Sequence, residues 1–149
     1  MSFILKILCV SIGSTALMTM FSYMASFLAN KNFREPELIN LILNNLRYFP
    51  FNISKRSVVG WIAHFLIGLI FTLLGFTLLA LTELGPDATF GIIFGSVAGI
   101  LAIIAWTFCF KITKRILSYS RSIFNFQIFI AHVLFGLSLA LFYNIFYLN

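Results

Sequence analysis

His64 and His132 are the two histidines of this 149-residue chain, and they stand at matching places. Residues 63–69 read AHFLIGL and residues 131–137 read AHVLFGL. Each histidine opens a long apolar stretch, with a glycine one helical turn later. An ionisable ring inside a membrane span is costly, which makes it a functional candidate by default. Neutral imidazole is the commonest metal ligand and an axial ligand to haem, and it can equally hydrogen-bond a quinone or a lipid headgroup. The competing reading is a ring satisfied by a neighbouring hydroxyl or carbonyl, with no ligand. For a bare metal site, no further Asp, Glu or Cys is expected at that depth, so no metal is assigned. A b-type haem or a quinone held by His64 and His132 stays open. No C-x-x-C-H attachment motif is present.

The elements that carry these rings are set by composition. Hydrophobic residues make up 61% of the chain and charged ones 9%, and mean hydropathy is +1.04. A soluble domain carries roughly 25% charged residues; a chain this poor in charge needs lipid as its solvent. Length indicates one integral membrane domain over 1–149. Four stretches reach the roughly 20 apolar residues of a bilayer span: about 7–29, 58–81, 88–112 and 123–148. They are too long and continuous for barrel strands, so the expected fold is all-α, with four transmembrane helices in an up-down bundle. The first stretch has no A-x-A cleavage site and is read as a retained helix rather than a signal peptide.

Nine of the ten Lys and Arg residues fall in or beside the first and third loops, and the second loop (ELGPD) has none. The positive-inside rule then puts loops one and three in the cytoplasm and both termini outside. The net charge of +6 belongs to these loops, and no basic domain or basic–aromatic groove supports nucleic acid as a partner. Trp61 and Trp106 fall at one interface, and Tyr143 and Tyr147 at the other.

Residues 36–49 form an eleventh-hour insertion of a different kind, with Leu38, Leu41, Ile42, Leu46 and Phe49 on one helical face between Pro36 and Pro50. The stretch is too short to span and is expected to be an amphipathic helix, lying in the cytoplasmic interface or packing under the bundle as a plug. Glu35 and Glu37 fall at its start, where acidic residues suit the positive dipole end, and they are not read as a catalytic pair. With no nucleophile–base pair and no phosphate-binding loop, an enzyme is not expected.

Gly13, Ser14 and Ala16 have counterparts in Gly95, Ser96 and Ala98, so the histidine repeat extends to two duplicated hairpins, the first carrying the amphipathic insertion. The second and fourth helices then run parallel and place both rings at one depth, about 9 Å inside the span. Small residues line one stripe of each helix: His64, Gly68, Thr72 and Gly75; His132, Gly136, Ala140 and Asn144; Gly91, Gly95 and Gly99; Thr15, Thr19, Ser22 and Ser26. Such residues let backbones approach in lipid, so Gly68, Gly75, Gly91, Gly95, Gly99 and Gly136 are assigned to helix packing. Cys9 and Cys109 stand alone and read as packing residues.

The paired H-x-x-x-G helices (His64/Gly68 and His132/Gly136), the segment ALMT at 16–19 and W-x-x-H at 61–64 resemble a family of small uncharacterised bacterial inner-membrane proteins with four helices. The resemblance implies fold and bacterial inner-membrane location, and carries no function. The leading functional expectation is a small non-enzymatic membrane protein, acting as a subunit, assembly factor or homo-oligomer through contacts with the bilayer, other subunits or itself. A haem- or quinone-binding redox protein is the first alternative, and a small transporter or channel the next.

Overall fold

The computed structural model describes residues 2–46, 52–114, 117 and 119–148. They form five α-helices: α1 (Phe3–Ala29), α2 (Glu35–Asn45), α3 (Val58–Leu81), α4 (Ala88–Ile112) and α5 (Arg121–Tyr143), the last continued by a π-helical turn (Asn144–Leu148). The described residues include no strand. α1, α3, α4 and α5 with its extension are each long and apolar enough to cross a membrane. α1 begins four residues earlier than the hydropathy suggests and α5 two, because charge near a span end does not stop a helix.

Side-chain caps fix where the long helices start. Ser2, Ser57, Asp87 and Ser120 accept from the backbone N–H of Leu5, Val59, Phe90 and Ser122, satisfying donors that helix geometry leaves orphaned. Asn30 ends α1 in the left-handed region (φ 50°), which Asn tolerates better than most residues.

Packing in lipid depends on close backbone approach rather than on hydrophobic transfer, and the glycines show where it happens. A Cβ on Gly95 would lie 2.5 Å from the His132 carbonyl oxygen and 2.7 Å from Val133 Cα, and one on Gly91 2.9 Å from the Gly136 oxygen. One on Gly136 would strike the Gly91 carbonyl oxygen. α4 and α5 therefore meet along Gly91, Gly95 and Gly136, with Gly99 against Phe129 and His132. On the other side, Gly68 of α3 lies against Thr15 of α1, and Gly75 against Leu139 and Phe94. α5 also packs on α1, and α3 on α1 and α2, while α3 and α4 share no extensive interface although they follow each other in the chain. The order around the assembly is α3–α1–α5–α4, and a cleft is left between its two ends. Lipid-facing rows such as Ile62, Leu66, Ile70 and Leu73 on α3, and Ile100, Ile104 and Phe108 on α4, are exposed.

α2 is buried on both its polar and its apolar sides: Glu35, Pro36, Glu37, Leu38, Asn40 and Ile42 are all buried. Leu38 and Ile42 join Phe33, Phe110, Phe124 and Ile128 in one apolar cluster. These are the contacts of a helix packed under the spans. The rest of its expected extent, through Phe49 and Pro50, lies outside the described residues. Asn40 fastens it to α3. Its amide donates to the carbonyls of Lys55 (3.1 Å) and Ser57 (2.7 Å) and accepts from the N–H of Gly60 (2.8 Å).

Candidate ligand-binding site

The first turn of α2 carries a carboxylate into the helix assembly. Glu35 is 2% exposed. Its Oε1 accepts from the Ser22 hydroxyl of α1 at 2.5 Å, and the Gln127 amide of α5 donates to that same hydroxyl at 2.7 Å. Glu35 Oε2 is buried with no hydrogen-bond partner. Burial pushes its pKa up to about 7, against the hydrogen bonds from Ser22 and Gln127 that favour the ionised form. Glu37, two residues on, is the reverse case. Burial opposes its charge, but hydrogen bonds from Arg34 and Lys55 outweigh that and hold it below the usual carboxylate range. Both cations lie 3.1 Å from its oxygens. Arg34 also stacks over the Tyr23 ring, 5.3 Å from its centroid.

His64 and His132 are both buried, at 6% and 8% exposure. The Thr19 hydroxyl donates its one proton to the Thr15 carbonyl at 2.6 Å, so it can only accept from His64 Nε2 at 2.9 Å. In the neutral ring the proton therefore sits on Nε2, and Nδ1 is the free acceptor. His132 is the mirror case. Its Nδ1 lies 2.8 Å from the Ile128 carbonyl oxygen, which can only accept, so the proton sits on Nδ1 and Nε2 is free.

A cavity of about 580 Å³ gathers these groups, with Glu35, His64 and His132 all on its wall. The remainder of the lining is apolar, including Met18, Phe71, Leu101, Trp106 and Phe135. The sequence-assigned pair is thus brought to one cavity, and Gly68 lines it too; Gly75, Gly91, Gly95, Gly99 and Gly136 serve helix contacts instead. Among the described residues no group of three His, Cys, Asp or Glu is arranged to hold a metal ion. The polar groups come singly from α2, α3 and α5, which suits an organic head better than an ion. Two-fold haem ligation fits this arrangement poorly. His132 offers the outer nitrogen with its inner one oriented by a carbonyl, as metal-ligating histidines do. His64 has its outer nitrogen committed to Thr19 and offers the one beside its own backbone, where a macrocycle has little room.

The residue missed from sequence is Glu35, together with its supports Ser22 and Gln127. Gln127 is a polar residue in an apolar span on the level of Ser22, and that pairing was the available signal: buried polar side chains need partners.

Fold and site together define a small helical protein suited to residence in a membrane, with a largely apolar cavity that Glu35, His64 and His132 help to line. No family model, curated protein or solved structure matches the chain.

Proposed function

We propose that this chain is a non-enzymatic integral membrane protein that binds a neutral-headed lipophilic molecule of the quinone/quinol class. The observation that carries this reading is Glu35, which lines the same cavity as His64 and His132 and has a buried oxygen, Oε2, without a hydrogen-bond partner. The chemistry of the three groups is complementary to such a head. Each neutral imidazole, its donor spent on Thr19 or Ile128, presents an acceptor for a quinol hydroxyl. Glu35 presents a donor to a quinone carbonyl when protonated and an acceptor when ionised. No Lys or Arg is among the described residues of the lining, so those residues offer a phosphate head no counter-charge. The small-residue faces are used within the chain, Gly91 and Gly95 against Gly136 and Gly68 against Thr15. That favours ligand binding over a role resting on those faces as partner contacts. Charge bias supports loops one and three being cytoplasmic and both termini outside; the family resemblance is what points to a bacterial inner membrane.

Trp106 on the cavity wall is a built-in reporter. Purified protein in lipid vesicles should show saturable quenching of tryptophan fluorescence by a quinone, weakened about tenfold by His132→Phe or Glu35→Leu. Quenching that does not saturate, or that both variants leave unchanged, would overturn the reading. A Soret band in protein purified with haem available would transfer the site to haem.

A further inference from the structure

We propose that the cleft between α3 and α4 is a tail channel, which selects ligands whose single tail crosses both leaflets. This rests on the ligand-binding reading above and adds a second subsite to it. Beyond the Glu35–histidine cavity lies another of about 400 Å³, lined by Leu74, Leu78, Ile93, Phe94 and Val97 and reaching Thr82 and Asp87 at the opposite end. The two share Phe71 of α3 and Leu101 of α4 as common wall, so one follows the other along the cleft.

The cleft exists because α3 and α4 do not close on each other. α4 turns its glycines to α5, and α3 turns Gly68 to Thr15 of α1, so the sides they present to one another are bulky and open. The loop joining them is held at its far end by Asn144, whose amide donates to the Pro86 carbonyl.

Length decides the occupant. From His64 to Thr82 along α3 is about 27 Å at the helical rise. A bilayer's hydrocarbon core is about 30 Å thick, so a phospholipid acyl chain headed at one surface reaches only the midplane. An occupant headed between the histidines and filling the cleft to Thr82 needs roughly twice that reach, in a single tail. A long polyisoprenyl tail on a neutral ring meets the requirement. The lining agrees, because its described residues carry no Lys or Arg at either level. Asp87, the one carboxylate of the far cavity, is engaged in capping α4 through the Phe90 N–H.

The test compares a benzoquinone bearing a short alkyl tail with the same ring bearing a long polyisoprenyl tail. Both are reconstituted in vesicles with the full chain, and concentrations are expressed per lipid so that partitioning cancels. Quenching of Trp106 is read in a Trp61→Phe background, taken as the wild type here, and in the same background with Leu74→Phe/Val97→Phe, which fills the far cavity without touching the head site. The wild type should bind the long-tailed quinone at least tenfold more tightly. The variant should lose that preference and keep its short-tail affinity. Equal affinity for both tails in the wild type would overturn the channel while leaving the head site standing. Failure of both quinones to bind would remove the reading beneath it. If the variant keeps the tail preference, the cleft belongs to something other than a tail and the proposal falls.

Discussion

The Ser22 hydroxyl lies 2.5 Å from Glu35 Oε1, and this one contact locks α2 to α1 inside the helix assembly. The hydroxyl has a second option, the Met18 carbonyl at 3.2 Å. When Glu35 is ionised the proton of Ser22 turns to Oε1. When Glu35 is protonated on that oxygen the carboxyl donates instead, and Ser22 turns to Met18. Either state of Glu35 is therefore accommodated without moving a helix, which is what a group placed to exchange hydrogen bonds with a ligand requires.

Stability should fall as pH rises from about 4.5 to about 7, and Glu35 should be the cause. Its pKa is about 7 in the fold against 4.5 as a free side chain, so between those values the folded state holds the extra proton. Stability is then lost from about pH 4.5 upward, and the loss is complete above about pH 7. The whole effect is on the order of 3 kcal/mol. Glu35→Gln, which keeps an acceptor for Ser22 without a charge, should flatten this slope and raise the melting temperature at pH 8. Thermal scans in detergent check it; a variant with the wild-type slope would assign the pH dependence elsewhere.

Much of the fold was legible because lipid imposes a simple rule: long apolar runs must be helices. The spans at 58–81 and 88–112 coincide with α3 and α4, and of the glycines assigned to packing, Gly91, Gly95 and Gly136 lie where the backbones of α4 and α5 approach. Glu35 was not legible, and the reason is physical. A carboxylate beside Pro36 at the start of a short helix has a sufficient local explanation in the helix dipole. Nothing in its own neighbourhood tells that explanation from insertion among spans. The difference lies in Ser22 and Gln127, 13 and 92 residues away in sequence, and only the folding of α1 and α5 onto α2 brings them together. The opposite behaviour of Glu37 arises likewise from Lys55, across the loop that precedes α3.

Gly95→Ala should loosen the α4–α5 contact. The new Cβ would lie 2.5 Å from the His132 carbonyl oxygen and 2.7 Å from Val133 Cα, and backbone cannot turn aside as a side chain can. Forced separation of this kind costs about 1–3 kcal/mol. Ile92→Ala, at a side chain 48% exposed toward the lipid side, should cost less. Melting temperatures of the two variants in the same detergent decide it, and equal loss would show that the glycine is not at a tight contact.

Topology can be read with single cysteines in a chain whose Cys9 and Cys109 are replaced by alanine. Asn52 and Leu84 are both exposed, one in the basic first loop and the other in the cation-free second loop. The charge bias predicts that Leu84→Cys reacts with an impermeant thiol reagent in intact cells, and that Asn52→Cys reacts only after permeabilisation. The reverse pattern would invert the orientation and place the Glu35 cavity in the outer leaflet.

The two histidine rings should be found in opposite tautomers. His64 gives its proton to Thr19 from Nε2, because that hydroxyl is already donating to Thr15. His132 gives its proton to Ile128 from Nδ1, because a carbonyl can only accept. In alkaline buffer, where both rings are neutral, nitrogen NMR of histidine-labelled protein in lipid should show one Nε2–H and one Nδ1–H ring rather than two alike. Thr19→Val removes the acceptor without changing the shape of the side chain. It should release His64 into a mixture of tautomers and leave His132 unmoved, since the Ile128 carbonyl belongs to its own helix. Two rings of the same tautomer in the wild type would show that the hydrogen bonds run otherwise. The acceptor nitrogens offered to the cavity would then be different ones, and the match to a quinol head would have to be drawn again from those.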